Sequence, residues 1–341
     1  MRKEYIIPVF VPHLGCPNDC TFCNQKKISG QKKNVSGKDV SEIIDYYLEH
    51  FKEKDRIVEV AFFGGSFTGI DKKIQEELLS VANEYIKQGK VNSIRVSTRP
   101  DYINQDVLDL LKRYGVKTIE LGVQSANDYI LNKCKRGHSF QDVKRASKLI
   151  NKNKLILGHQ MMVGLPESTK EDEIETARKL IKLRPKMVRI YPVLVIKDTK
   201  LEEDFLKGDY KPNTLEQAIE TCAILFKMFK KKKIDVIRIG LQSTDEICSP
   251  ENKNSQVVSG PYHPAFRQIV ESRICYDDFS KKIQKLNNKV RAVKVLVNEK
   301  NINNFIGHKR ENINRIKQLY NVDVIVEQSN KVKSFKISNI I

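Results

Sequence analysis

The chain has 341 residues, 40% of them hydrophobic and 30% charged, which fits folded globular domains and excludes a disordered or low-complexity protein. Lys and Arg outnumber Asp and Glu by 61 to 42, a formal charge of +19 that favours a polyanionic partner such as nucleic acid, although general solvation by lysine explains it equally well until a site is located. No stretch has the roughly 18 apolar residues of a membrane span, and the N-terminus does not read as a signal peptide, so a cytoplasmic protein without membrane contact is expected.

In chain order, β-branched runs at residues 5–10, 57–63, 93–98, 118–123, 155–161, 187–191 and 234–239 alternate with stretches at 40–51, 72–88, 105–114, 140–151 and 170–182 whose apolar residues recur at helical spacing. Parallel strands joined by crossover helices, repeated about six times, predict an α/β fold of the partial (β/α)6-type TIM barrel, with chemistry at the strand C-termini. Helical pattern returns at 214–232, polar turns follow at 242–260, and a short helix is expected at 268–273. The last fifty residues read differently: strand 291–297, a Gly-containing loop, helix 312–320, and strands 322–327 and 332–337. Three parts are therefore expected: the barrel at 1–245, a linker and helical extension at 246–288, and a small α+β module at 289–341.

Seven cysteines in a cytosolic-looking chain point to metal or catalytic use of some. Cys134, Cys222, Cys248 and Cys275 stand singly and read as small buried or inert thiols. Cys16, Cys20 and Cys23 follow the first strand at spacings of three and two. Three thiolates on one loop can wrap three corners of an iron-sulfur cubane and leave the fourth iron open, an arrangement suited to catalysis. Zinc is the competing reading, with His13 as a possible fourth ligand, but no second pair of cysteines is spaced to help.

The pattern Cys-x3-Cys-x2-Cys, with Phe22 before the last cysteine, resembles the signature of the radical SAM superfamily. The resemblance implies a [4Fe-4S] cluster on Cys16, Cys20 and Cys23, S-adenosyl-L-methionine on the open iron, and Phe22 beside its adenine. It also implies a 5′-deoxyadenosyl radical formed on reduction by a donor such as flavodoxin or ferredoxin. Gly64-Gly65-Ser66 ends the second strand, where absent Cβ atoms let backbone approach a ligand, and is similar to the superfamily motif for the methionine amino group. Arg99 after the third strand, Gln124 after the fourth and Gln160 on the fifth add polar groups to one rim and are expected to orient the cofactor.

Arg99-Pro100-Asp101, Glu120 to Ser125, Lys135-Arg136-Gly137-His138 and Val188 to Ile196 together look like the radical SAM domain of the Elongator catalytic subunit, over residues 5–240. That likeness implies tRNA, at a wobble uridine, as the substrate. No acetyl-CoA loop is recognisable and little length remains, so acetyl transfer is not expected. The run Gly260 to Arg267 either covers the barrel mouth or is a structured turn. In the last module, Gly307-His308-Lys309-Arg310 looks like a KH loop, with Arg310 where the second glycine belongs. Gly307, Lys309 and Arg310 are therefore expected to contact RNA backbone. Two other readings stay open: radical chemistry on a small acidic substrate such as a porphyrinogen, and a non-catalytic iron-sulfur protein that binds RNA.

Overall fold

The computed structural model describes residues 3–11, 20–24, 35–53, 55–286 and 290–341. The chain divides into two compact units, Met1–Ala218 with Leu225–Pro264, and Ile219–Ile224 with Ala265–Ile341.

The first unit contains strands β1 (Lys3–Val11), β2 (Arg56–Gly64), β3 (Ser93–Thr98), β4 (Val116–Gln124), β5 (Ile156–Val163), β6 (Met187–Pro192), β7 (Val195–Ile196), β8 (Asp235–Ile239) and β9 (Val257–Ser259). β1 to β6 and then β8 form one seven-stranded sheet in that order, every neighbouring pair parallel. Described helices of this part of the chain are α1 (Gly37–His50), α2 (Lys72–Lys87), α3 (Gln105–Arg113), α4 (Asp128–Lys133), α5 (Phe140–Lys152), α6 (Lys170–Lys182), α7 (Lys200–Lys207) and α8 (Leu215–Lys231). The result is the expected partial (β/α) barrel, a parallel sheet curled into an open half-barrel with helices outside.

Local signals explain the helix starts. Ser36 with Asp39, Ser139 with Asp142, Thr169 with Asp172 and Thr214 with Gln217 form reciprocal capping boxes before α1, α5, α6 and α8. Outward-facing strand residues such as Val60, Ile94, Val96, Ile119 and Leu121 are fully buried. The alternate residues face the barrel interior and are polar: Glu59, Arg95, Ser97, Thr118 and Glu120 all lie at this register. Sequence periodicity missed α4 and α7, which have six and eight residues, too few to show a helical repeat. It also missed the antiparallel pair of β7 with β9, the latter inside the polar-turn segment, where Val195 pairs with Ser259 and Ile196 with Val257.

The second unit holds α9 (Phe266–Ile283), β10 (Ala292–Val297), α10 (Ile302–Ile306), α11 (Glu311–Tyr320), β11 (Asp323–Gln328) and β12 (Phe335–Ile340). Its sheet runs β11-β10-β12, with β10 parallel to β11 and antiparallel to β12. Val293, Val295 and Val297 alternate on β10 and bury against Phe279, Phe305 and Ile316. Residues 246–288, read from sequence as one linker and extension, are divided between the units at Pro264, and α9 runs well past the expected end at 273. The last strand starts at Phe335, not at 332, because Val332 belongs to the preceding loop, where its carbonyl accepts from Asn298 Nδ2 at 2.9 Å.

Candidate active site

Four neighbouring strands end at one cavity. Its walls are Cys20, Phe22, Cys23, Gly64, Gly65, Ser66, Ser97, Thr98, Arg99, Gly122, Gln124, Arg136 and Gln160. Every cofactor residue expected from sequence is in that set, as are two of the three expected cluster cysteines; Cys16 lies outside the described residues. His13, the fourth ligand of the zinc alternative, lies outside the described residues as well.

Cys20 and Cys23 sit on a turn closed by the Cys23 amide donating to the Cys20 carbonyl at 2.9 Å. The turn is braced on both sides: Thr21 N–H donates to the Cys134 carbonyl, and Leu201 N–H to the Thr21 carbonyl. Asn24 Nδ2 reaches the carbonyls of Lys197 and Asp198, each at 3.3 Å. Phe22 packs on a cluster that includes Ile130, Leu165 and Val193. Nearby Cys134 is buried, and burial first of all pushes its thiol up to about 12.

The paired glycines have a cause visible in the backbone. Gly64 has φ +112°, and a Cβ there would lie 2.3 Å from the Val11 carbonyl oxygen, which also accepts the Gly65 N–H at 3.1 Å. The end of β2 is thus fastened against the end of β1, where the cysteine loop begins. Ser66 is a tie as well: its Oγ bonds Thr98 Oγ1 at 2.8 Å and accepts the Arg99 amide at 3.1 Å, joining the ends of β2 and β3.

Arg99 is only 2% exposed, and its guanidinium is held in a fork by Asp101, with Nε to Oδ1 at 3.0 Å and Nη2 to Oδ2 at 2.9 Å. At β4 the pairing with β5 slips between Gly122 and Gln124, a bulge that leaves Gln124 at φ +67° and turned to the cavity. Its Oε1 is buried with no hydrogen-bond partner among the described residues. On β5, neighbouring side chains part ways. Gln160 enters the cavity, whereas His159 points out toward α5 and bonds Ser147 Oγ at 2.9 Å.

Sequence reasoning missed two features. The first is Arg136, 9% exposed, which donates from Nη1 to Cys20 Sγ at 3.4 Å and from Nη2 to the Gly122 carbonyl at 2.9 Å. It reaches the cavity only because α4 turns the chain back, and no spacing rule announces so short a helix. His138 beside it is pushed down to about 3, by burial first and then by Arg136 and Arg99, and stays neutral.

The second feature is an ionic network inside the barrel, joined to the cavity wall through Gln160. Arg95 joins Glu59, Nε to Oε2 at 2.6 Å, to Glu120, Nη1 to Oε1 at 2.8 Å; Arg189 grips both oxygens of Glu120 and lies over the Phe63 ring. Burial alone would raise the Glu120 carboxyl, but Arg189 and Arg95 outweigh it and hold the group ionised. An ionised carboxylate only accepts, so Gln160, 3.3 Å away, must turn its amide nitrogen to Glu120 and leave its carbonyl oxygen for the cavity.

A profile of the radical SAM superfamily matches residues 10–180, and one of the radical SAM C-terminal domain matches 185–275. A tRNA uridine(34) acetyltransferase of Methanocaldococcus jannaschii is 34% identical over 158 residues, 46% of this chain and 29% of the relative. An uncharacterised protein of the same organism is 31% identical over 220 residues, 62% of this chain and 67% of the relative. Among solved structures, the archaeal Elp3 of Methanocaldococcus infernus superposes with a TM-score of 0.62 at 23% identity, over 83% of this chain and 64% of that one. The chain spans about a third of the length of the first two acetyltransferase relatives, 29% and 35%.

Proposed function

Because this chain belongs to the radical SAM superfamily, we propose that it binds a [4Fe-4S] cluster through Cys16, Cys20 and Cys23 and uses it to cleave S-adenosyl-L-methionine, with tRNA at a wobble uridine as the substrate. One observation carries the first half: two cysteines of the trio share a cavity with Gly64, Gly65, Ser66, Arg99, Gln124 and Gln160, at the C-terminal ends of four barrel strands. The residues fit the groups. Thiols on a braced turn suit iron, and the buried Gln124 Oε1 and Arg136 Nε, which have no hydrogen-bond partner among the described residues, are groups that a polar ligand would satisfy.

Bound there, the cluster and S-adenosyl-L-methionine would together supply a 5′-deoxyadenosyl radical that abstracts hydrogen from carbon. The chain's own part is positioning. Phe22 offers a ring face, Gln160 a fixed acceptor, Gln124 an open acceptor, and the Ser66 tie keeps the ends of β2 and β3 in place around them. A small poly-acidic substrate draws little support here, since Arg95, Arg99 and Arg189 are each neutralised by a carboxylate and Arg136 is engaged by the Cys20 sulfur and the Gly122 carbonyl.

Support for tRNA comes from the relatives' activity and from the second unit. There His308, Lys309 and Arg310 are exposed in the turn before α11. The test is twofold. Anaerobically reconstituted protein should hold about four iron and four sulfide per chain and, with dithionite, release 5′-deoxyadenosine. Protein that loads the cluster and binds S-adenosyl-L-methionine without cleaving it would refute the catalytic reading. Nucleoside mass spectrometry of tRNA from wild-type and deletion strains should show one wobble-uridine derivative lost; identical profiles would refute the tRNA assignment.

A further inference from the structure

The buried arginines of the barrel differ in one respect. Arg95, Arg99 and Arg189 each face a carboxylate, whereas Arg136 has no acidic partner among the described residues. Its fork ends on a backbone carbonyl and on the sulfur of Cys20, and its Nε is buried with no hydrogen-bond partner among the described residues. A lone buried cation is costly, and the cost is met where an anion lies against it. Cys20, 3% exposed, becomes that anion as a thiolate ligand. The site is shaped for the contact. Gly122 has no Cβ, and one placed there would be 2.8 Å from Nη2 and would push the guanidinium aside.

Charge and hydrogen bonds at the sulfurs are among the factors that set an iron-sulfur cluster's reduction potential. A positive donor on a ligand sulfur stabilises the state that carries the extra electron. We propose that Arg136 raises the reduction potential of the cluster through its charged hydrogen bond to the Cys20 sulfur, so that one electron from a low-potential donor is accepted more readily. The proposal rests on the cluster reading above.

The test is an EPR-monitored redox titration of full-length, reconstituted protein without S-adenosyl-L-methionine, comparing wild type with Arg136→Gln and Arg136→Lys. Arg136→Gln loses the charge and should lower the reduction equilibrium constant at least tenfold, ~59 mV for a one-electron couple. Arg136→Lys keeps the charge but cannot span Gly122 and Cys20 as a fork, and should fall between the two. Midpoints equal to wild type, in whichever variant carries the full iron and sulfide content, overturn the proposal. Failure of the wild type itself to take up iron and sulfide would instead remove the cluster reading, so the two failures are told apart.

Discussion

Glu120 is 1% exposed and answers two guanidiniums, so replacing it has a cost that burial fixes. Glu120→Gln leaves Arg189 without its carboxylate and Arg95 with only Glu59, and breaking one partner out of a buried ion pair typically costs about 3–5 kcal/mol. We expect a loss near the lower figure, ~3 kcal/mol, because Gln still accepts one hydrogen bond, measured as a shift of the denaturant midpoint at pH 7. The pH dependence has a definite sign. The carboxyl is held below its ordinary 4.5, so its contribution is present above that pH and lost on acidification, and the variant should show less of this acid loss. At this scale the sequence was legible where chemistry and spacing coincide, as in Cys20, Cys23, Gly64 and Gln124. The ionic network was not, because Glu59, Arg95, Glu120 and Arg189 come from four strands and meet only when the sheet curls.

Helix α6 carries a carboxyl in the opposite condition, turned back on the loop from β5. Glu173 on α6 is buried and accepts the Gly164 amide at 2.5 Å, while Tyr210 Oη donates to the Gly164 carbonyl at 2.6 Å. Burial pushes Glu173 up to about 7, against an ordinary 4.5. A raised acid is fully favourable below about 4.5, and its contribution declines as pH rises to about 7. Glu173→Gln keeps an acceptor for Gly164 and has no charge to bury. It should match wild type near pH 5 and exceed it at pH 8 by ~2–3 kcal/mol, read from urea curves at both pH values; equal stability at pH 8 would discount the buried charge.

A second strained element is the turn before α11, where Lys309 and Arg310 stand at φ +46° and +62°. Gly307, at φ +78°, could not bear a Cβ, which would meet Asn312 at 3.0 Å. Arg310 therefore keeps the left-handed backbone that a glycine at its position would adopt freely. Arg310→Gly should stabilise the unit by ~1 kcal/mol, visible as a higher midpoint in denaturant. Element boundaries were legible where capping boxes mark them, as at Ser139 and Thr169. The bulge at β4, which aims Gln124, was not, since a one-residue slip against β5 leaves no mark on the periodicity of either strand.

Across the whole molecule, the excess of +19 is unevenly spread. Residues 265–341 contain sixteen Lys and Arg against seven Asp and Glu, nearly half the excess in less than a quarter of the chain. A charge that merely solvates surface has no reason to collect in one unit, and a charge that grips a polyanion does. The two origins differ in how binding responds to salt, because each phosphate neutralised releases counterions. If the second unit holds tRNA through its exposed turn, affinity should fall steeply and linearly on a log–log plot as salt rises. Lys309→Gln with Arg310→Gln should then weaken binding at every salt concentration and flatten the slope by ~1.5, the value for two phosphate contacts. The barrel residues are untouched by that change, so 5′-deoxyadenosine formation without tRNA should stay at the wild-type rate. An unchanged slope with weaker binding would mean that the turn acts through the fold of its own unit, and an unchanged slope with unchanged affinity would move the phosphate grip to other cations of the chain.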